Sequence, residues 1–292
     1  MTKDHDLNHR SFLPFARPCL SEESMAAALT CLQSGWLATG PKVELFETNL
    51  RHYFNAPHAI TVTSATAGLF LALKAINIQP GDHVMTTAMT FVATLNTIEQ
   101  TGAHPILIDI DPVTRNMDVC HMEKALTPQT KAIIPVHFAG LAVDMDVVYA
   151  FAKKHNLRVI EDAAHAMGGR YKGELIGSFG DIQVFSFHPC KNMTTAEGGC
   201  IVTRDDAIAT RIKTLRFHGI DRDAFNRYAK GGSEGYDVIE AGYKYNLSDL
   251  QATLGLYQLK ELDTMNKRRR ELTSRYRLKL KNMPGLSLPG QE

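Results

Sequence analysis

Asp181-Ile182-Gln183-Val184-Phe185-Ser186-Phe187-His188-Pro189-Cys190-Lys191-Asn192-Met193-Thr194-Thr195-Ala196-Glu197-Gly198-Gly199-Cys200-Ile201-Val202-Thr203 is the stretch whose reading decides the fold. Residues 182–187 are apolar, β-branched and aromatic, the composition of a buried strand. The chain then breaks into small and polar residues around Pro189, and Gly198-Gly199 turns it into a second short strand at 200–203. Lys191 stands in the break. A lysine held at a strand end, off any solvated helix face, suits an amine that forms a Schiff base with a carbonyl. Taken alone it is more simply an ordinary loop lysine, and the rest of the chain has to decide.

Outward from this stretch, strand and helix patterns alternate. Residues 58–63, 83–87, 105–109, 131–136 and 157–161 read as strands, and 65–77, 91–101 and 144–155 as helices. Ser21 is an N-cap with Glu22 and Glu23 in the first turn, and Gly35 closes that helix. Pro41 opens another, with Val43, Phe46, Leu50 and Phe54 on its apolar face. Late helices follow over about 248–282, with Leu250, Leu254, Tyr257 and Leu262 as an apolar face that a following segment should partly cover. Such alternation predicts an α/β fold with a mostly parallel central sheet covered on both faces.

The 292 residues are 44% hydrophobic and 22% charged, with a formal net charge of +1, enough for one large domain and a smaller one. Near-neutral charge gives no argument for nucleic acid or an anionic membrane surface, and Lys267-Arg268-Arg269-Arg270 reads as the solvated face of a late helix. Cys19, Cys31, Cys120, Cys190 and Cys200 are scattered, odd in number and without a C-x-x-C. That argues against a disulfide framework or a metal site and fits a reducing cytoplasm. Residues 1–10 are polar and read as a frayed tail without a signal peptide, and no apolar run approaches membrane-spanning length.

In α/β sheets ligands bind at the carboxyl ends of strands. After 58–63 comes Ser64-Ala65-Thr66-Ala67-Gly68, leading straight into a helix. Small residues, hydroxyls and a fresh helix N-terminus make either a phosphate site or a plain cap. The usual dinucleotide and triphosphate glycine signatures are absent. After 157–160 comes Glu161-Asp162-Ala163-Ala164-His165-Ala166. An acid at the end of a buried strand needs a cation or donors, and a protonated pyridine nitrogen would serve. A carboxylate for a pyridinium, an amine for an aldehyde and a phosphate cup together describe pyridoxal phosphate.

These motifs join Ser34-Gly35-Trp36, Thr39-Gly40-Pro41, Thr90-Phe91-Val92-Ala93-Thr94, Glu197-Gly198-Gly199 and Gly242-Tyr243-Lys244-Tyr245-Asn246. As a set, in this order, they resemble the DegT/DnrJ/EryC1/StrS family of sugar-nucleotide aminotransferases over nearly the whole chain. The resemblance implies an aspartate-aminotransferase-like domain of fold type I, with pyridoxal phosphate on Lys191. It also implies that Asp162 pairs with the pyridine nitrogen, His165 lies beside the ring, and Phe91 stacks on its face. Ala65, Thr66 and Ser186 would hold the phosphate. Asn246 would reach the phosphate of a neighbouring subunit, so that a homodimer shares its sites. The implied reaction has two halves: an amino-acid donor, glutamate, loads the cofactor, and a nucleotide-sugar acceptor, a UDP-4-keto-sugar, takes the amine. Relatives that replace the lysine with histidine become dehydratases, so Lys191 favours transamination.

Trp36, His137 and His188 are candidates for touching substrate, with simple packing as the alternative for Trp36 and His137. Cys190, beside Lys191, reads as incidental. Residues 221–245 lack periodicity and read as a substrate or subunit-contact loop. The expected organisation is an N-terminal segment 1–20, a cofactor-binding large domain 21–247, and the first helices of an incomplete small domain at 248–292. Relatives are expected to continue past Leu286-Ser287-Leu288-Pro289 with sugar-contacting residues. An inactive homologue that binds only the cofactor or a partner therefore stands as the alternative.

Overall fold

The computed structural model describes residues 14–221, 236–288 and 290. The tail read at 1–10 and residues 222–235 of the 221–245 loop lie outside them.

In chain order the elements are α1 (Glu22–Ser34), α2 (Pro41–Phe54), β1 (His58–Val62), α3 (Ala65–Ala75), β2 (His83–Thr87) and α4 (Val92–Gln100). Then come β3 (His104–Ile108), α5 (Met122–Ala125), β4 (Thr130–Ile133), α6 (Met145–His155) and β5 (Arg158–Asp162). A small hairpin, β6 (Arg170–Tyr171) and β7 (Glu174–Leu175), precedes β8 (Ile182–Ser186), β9 (Gly199–Thr203), α7 (Asp206–Arg216) and α8 (Asp249–Leu280). The helix starts follow the sequence signals. Ser21, Ser64 and Asp144 each accept a backbone N–H of the first turn, Pro41 is the first residue of α2, and Gly35 ends α1 at φ +73°.

Seven strands form one sheet in the order β1-β9-β8-β5-β4-β2-β3. Its β8–β5, β5–β4, β4–β2 and β2–β3 neighbours are parallel, as predicted. β9 runs antiparallel to both β8 and β1, because the chain returns from β8 without a covering helix. Every residue of β8 and β9 is buried. One core face gathers Ile60, Leu71, Ile160, Val184 and Ile212, and the other Phe46, Phe54, Phe185, Phe187 and Leu256. β1 is an edge strand, and its Thr61 is closed off by side chains. Glu47 accepts the Thr61 N–H at 2.8 Å, and Arg216 donates to Thr61 O at 2.8 Å while pairing with Glu47 at 2.5 Å.

The late helices expected over 248–282 are a single helix, begun by a capping box between Ser248 and Gln251. Its first half packs on α1 and α2, and Ala252, Leu256 and Leu262 enter the core. Of the face expected to await a later segment, Leu262 is buried, while Leu250, Leu254 and Tyr257 stay half-buried. The exposed apolar side chains lie further along, at Leu272, Tyr276 and Leu278. Lys267 to Arg270 are solvated, as read. No described helix is long and apolar enough to cross a membrane.

Candidate active site

β1, β4, β5 and β8 deliver the residues beyond their carboxyl ends to one cavity of about 210 Å³. Ser64, Ala65 and Thr66 come from the start of α3, and Thr90 and Phe91 from the start of α4. Asp162 ends β5, His165 follows it, Ser186 ends β8, and Lys191 stands in the β8–β9 connection. Seven of the eight cofactor candidates, Ala65, Thr66, Phe91, Asp162, His165, Ser186 and Lys191, therefore share one wall.

Asp162 is 6% exposed. Its Oδ2 accepts the Thr94 hydroxyl at 2.7 Å, its Oδ1 accepts the Ala164 N–H at 3.2 Å, and Thr94 in turn pairs with Thr90 at 2.7 Å. Thr94 is a site residue that sequence reasoning missed. His165 Nδ1 accepts the Ala139 N–H at 3.3 Å, which puts the ring proton on Nε2. Burial, then the nearby Lys191 charge, push this imidazole below its ordinary range, against a smaller opposing effect of Asp162. Phe91 was expected inside α4. It is the residue before the helix instead, and its ring is 71% exposed on the cavity wall, open to a flat partner. Gly199 lets β9 pass beneath the start of α3, since a Cβ there would come within 2.7 Å of Ala65 N.

Two substrate candidates do not reach this cavity. His137 follows β4 by four residues, is fully buried and does not line the cavity. Its Nδ1 accepts the Val143 N–H at 3.2 Å and its Nε2 donates to Glu161 at 2.8 Å. Glu161 also accepts Tyr149 Oη and Gln183 Nε2, each at 2.7 Å, and the phenol of Tyr149 is pushed far up by burial and by this carboxylate. Trp36 packs over Gly40 and donates to Thr39 O at 3.4 Å. His188 does line the cavity. Asn246 does not. Its amide nitrogen bonds Thr39 Oγ1, and its Oδ1 is the buried side-chain atom without a hydrogen-bond partner among the described residues. A second cavity of about 180 Å³, between α2, β1 and α7, holds none of the candidates.

The Glu161 network gives a stability prediction. Gly180 sits at φ +90°, and a Cβ there would collide with Tyr149 Oη, Gln183 Nε2 and Glu161 Oε1. Gly180→Ala combines backbone strain with overpacking and is expected to cost roughly 2–4 kcal/mol. A urea melt checks this; an unchanged midpoint would contradict it.

The donor set fits pyridoxal phosphate. An oriented buried carboxylate, a strand-end amine, and a helix N-terminus with free N–H groups face the same space. No group of His, Cys, Asp and Glu that could hold a metal occurs among the described residues.

Comparisons with known proteins agree. The model of the DegT/DnrJ/EryC1/StrS aminotransferase family matches residues 18–292. The spore coat polysaccharide biosynthesis protein SpsC of Bacillus subtilis is 49% identical over 97% of this chain and 72% of its own length. The putative sugar aminotransferase Spr1654 of Streptococcus pneumoniae, in its PLP-form, superposes at a TM-score of 0.84 and 34% identity, covering 93% of this chain and 72% of that one. Helicobacter pylori PseC, an aminotransferase involved in the biosynthesis of pseudoaminic acid, superposes at 0.86 and 33% identity over 94% and 72% of the two chains. The chain belongs to the DegT/DnrJ/EryC1/StrS aminotransferase family and is a pyridoxal-phosphate-dependent sugar aminotransferase of fold type I.

Proposed function

We propose that the enzyme moves an amino group from glutamate to the keto carbon of a UDP-4-keto-sugar, acting as a cytoplasmic homodimer. The observation that carries this reading is the convergence of Lys191, Asp162 and the start of α3 on one cavity. Bound pyridoxal phosphate supplies an aldehyde that takes up amines and a ring that accepts electrons. Lys191 is the amine that bonds that aldehyde. Once free, Lys191 Nζ would carry the substrate's α-proton, taking it as base and giving it up elsewhere as acid.

Asp162, oriented by Thr94 and Ala164, keeps a proton on the ring nitrogen. The first-turn N–H groups of Ala65 and Thr66, with the Ser186 hydroxyl, hold the phosphate. His165 lies beside the ring with its proton on Nε2, and Phe91 covers a ring face. His188 is the substrate contact on the cavity wall. Asn246 stands outside its own chain's cavity, and its amide N–H group, which here bonds Thr39 Oγ1, is the donor that would reach the partner's phosphate across a two-fold axis. The names of SpsC and PseC, which place them in polysaccharide and pseudoaminic acid biosynthesis, support a sugar acceptor of that kind.

Two half-reactions test the reading. Glutamate alone is expected to release stoichiometric 2-oxoglutarate from the loaded enzyme. The aminated enzyme is then expected to discharge on a UDP-4-keto-sugar and much more slowly on the same sugar without its nucleotide. Equal rates with the unlinked sugar would remove the nucleotide from the proposal, and a silent first half would remove glutamate.

A further inference from the structure

Cys190 lines the active cavity, yet none of the roles above uses it. The Lys191 N–H donates to His188 O at 2.9 Å, closing a β-turn with Pro189 and Cys190 at its centre. The proline fixes φ, so His188 and Cys190 are presented together rather than by chance of rotamer. His188 Nδ1 lies 3.1 Å from Cys190 Sγ and also accepts the Cys190 N–H at 3.3 Å. That nitrogen therefore offers a lone pair to the thiol, with the ring's own proton on Nε2. On the far side, Nε2 faces Glu197 Oε1 at 4.0 Å, where a carboxylate meets the positive ring formed when the thiol gives up its proton. All three residues stand in the wall of the cavity. A nucleophile, a base and a group behind the base are the arrangement that activates cysteines. Cys19 and Cys120 are also exposed, but no imidazole bonds their sulfur among the described residues; Cys31 and Cys200 are buried.

We propose that Cys190 is a modifiable thiol that reacts with hydroperoxides, with His188 as its base and Glu197 as the counter-charge. The Sγ–H proton passes to His188 Nδ1, and Sγ attacks the terminal peroxide oxygen. The S–O bond forms as the O–O bond breaks. The departing oxygen takes the proton from His188 and leaves as water or an alcohol. Sulfur is oxidised by two electrons to a sulfenic acid, and the peroxide is reduced by two. A thiol reductant reverses the change. Because Cys190 adjoins Lys191 on the cavity wall, the added oxygen hinders entry of the donor; this consequence alone rests on the transaminase reading.

The test needs no turnover. The full chain, loaded with pyridoxal phosphate, is treated with iodoacetamide at pH 7, and labelling is followed peptide by peptide. Cys190 is expected to react about tenfold or more faster than Cys19 and Cys120, since its Sγ has an imidazole nitrogen at 3.1 Å to take its proton as it attacks. His188→Asn is expected to bring it down to the control rates. Hydrogen peroxide with dimedone should tag Cys190 before either control. Equal labelling rates, an advantage that survives His188→Asn, or even dimedone tagging would each overturn the proposal. All of these leave the transaminase reading standing, and a silent glutamate reaction leaves the labelling result standing.

Discussion

Lys191→Ala is expected to lower turnover by about ten-thousand-fold or more while leaving the fold intact. One change would remove both roles proposed for Lys191: the amine that bonds the cofactor aldehyde and the group that carries the α-proton. Loss of a positioned proton carrier costs about 10²–10⁴-fold by itself. The side chain lies on a partly exposed turn whose backbone bond to His188 O survives substitution, so stability should change by less than about 0.5 kcal/mol. The measurement is a glutamate half-reaction beside a melting curve. Borohydride reduction of the unmodified enzyme, followed by peptide mapping, should place the label on Lys191. Label on another lysine, or a Lys191→Ala enzyme within tenfold of normal, would remove this residue from the chemistry.

The elements that carry their own chemical pattern were legible. β8 and β9 are mostly apolar between clear breaks, and the Gly198-Gly199 turn and the Ser64 cap are local signals. Asp162 was found because an acid following a buried run needs an explanation. Direction was not legible where a strand is buried on both faces, since the sequence then shows no alternation. Glu161 and Asp162 are adjacent acids sent to opposite faces by the pleat, one into a sealed network with His137 and one into the cavity. The same ambiguity hid the inward turn of His137. Thr94 escaped because its partner is 68 residues away, and only β5 packed against the start of α4 brings them together. The His188–Cys190 contact escaped for the opposite reason: it depends on the shape of a single turn around Pro189, which residue types do not state. The run 249–280 reads as several helices by ordinary length, but an unbroken face, with no internal proline and Gly255 fitted against Phe46, makes it one.

Asp162→Asn is expected to keep most cofactor binding and lose about 10²–10³-fold in the glutamate half-reaction, the usual cost of removing one preorganised electrostatic group. The two side chains have the same shape, and the site can absorb the new amide. Thr94, which donates to Oδ2 at 2.7 Å, also pairs with Thr90 at 2.7 Å, so its hydroxyl can turn back toward that partner. The Ala164 N–H at 3.2 Å still finds an amide oxygen. The proposed phosphate cup of Ala65, Thr66 and Ser186 and the proposed bond to Lys191 do not involve position 162. What disappears is the charge: a neutral amide gives a protonated ring nitrogen no counterion in a site that is 6% exposed to water. The electron sink weakens, and proton removal by Lys191 slows even though that lysine is untouched. Cofactor content and single-turnover kinetics separate the two contributions. Near-normal kinetics with full occupancy would show that the carboxylate is only structural. Loss of the cofactor with an unaltered rate per bound site would show that Asp162 serves retention instead of electron flow.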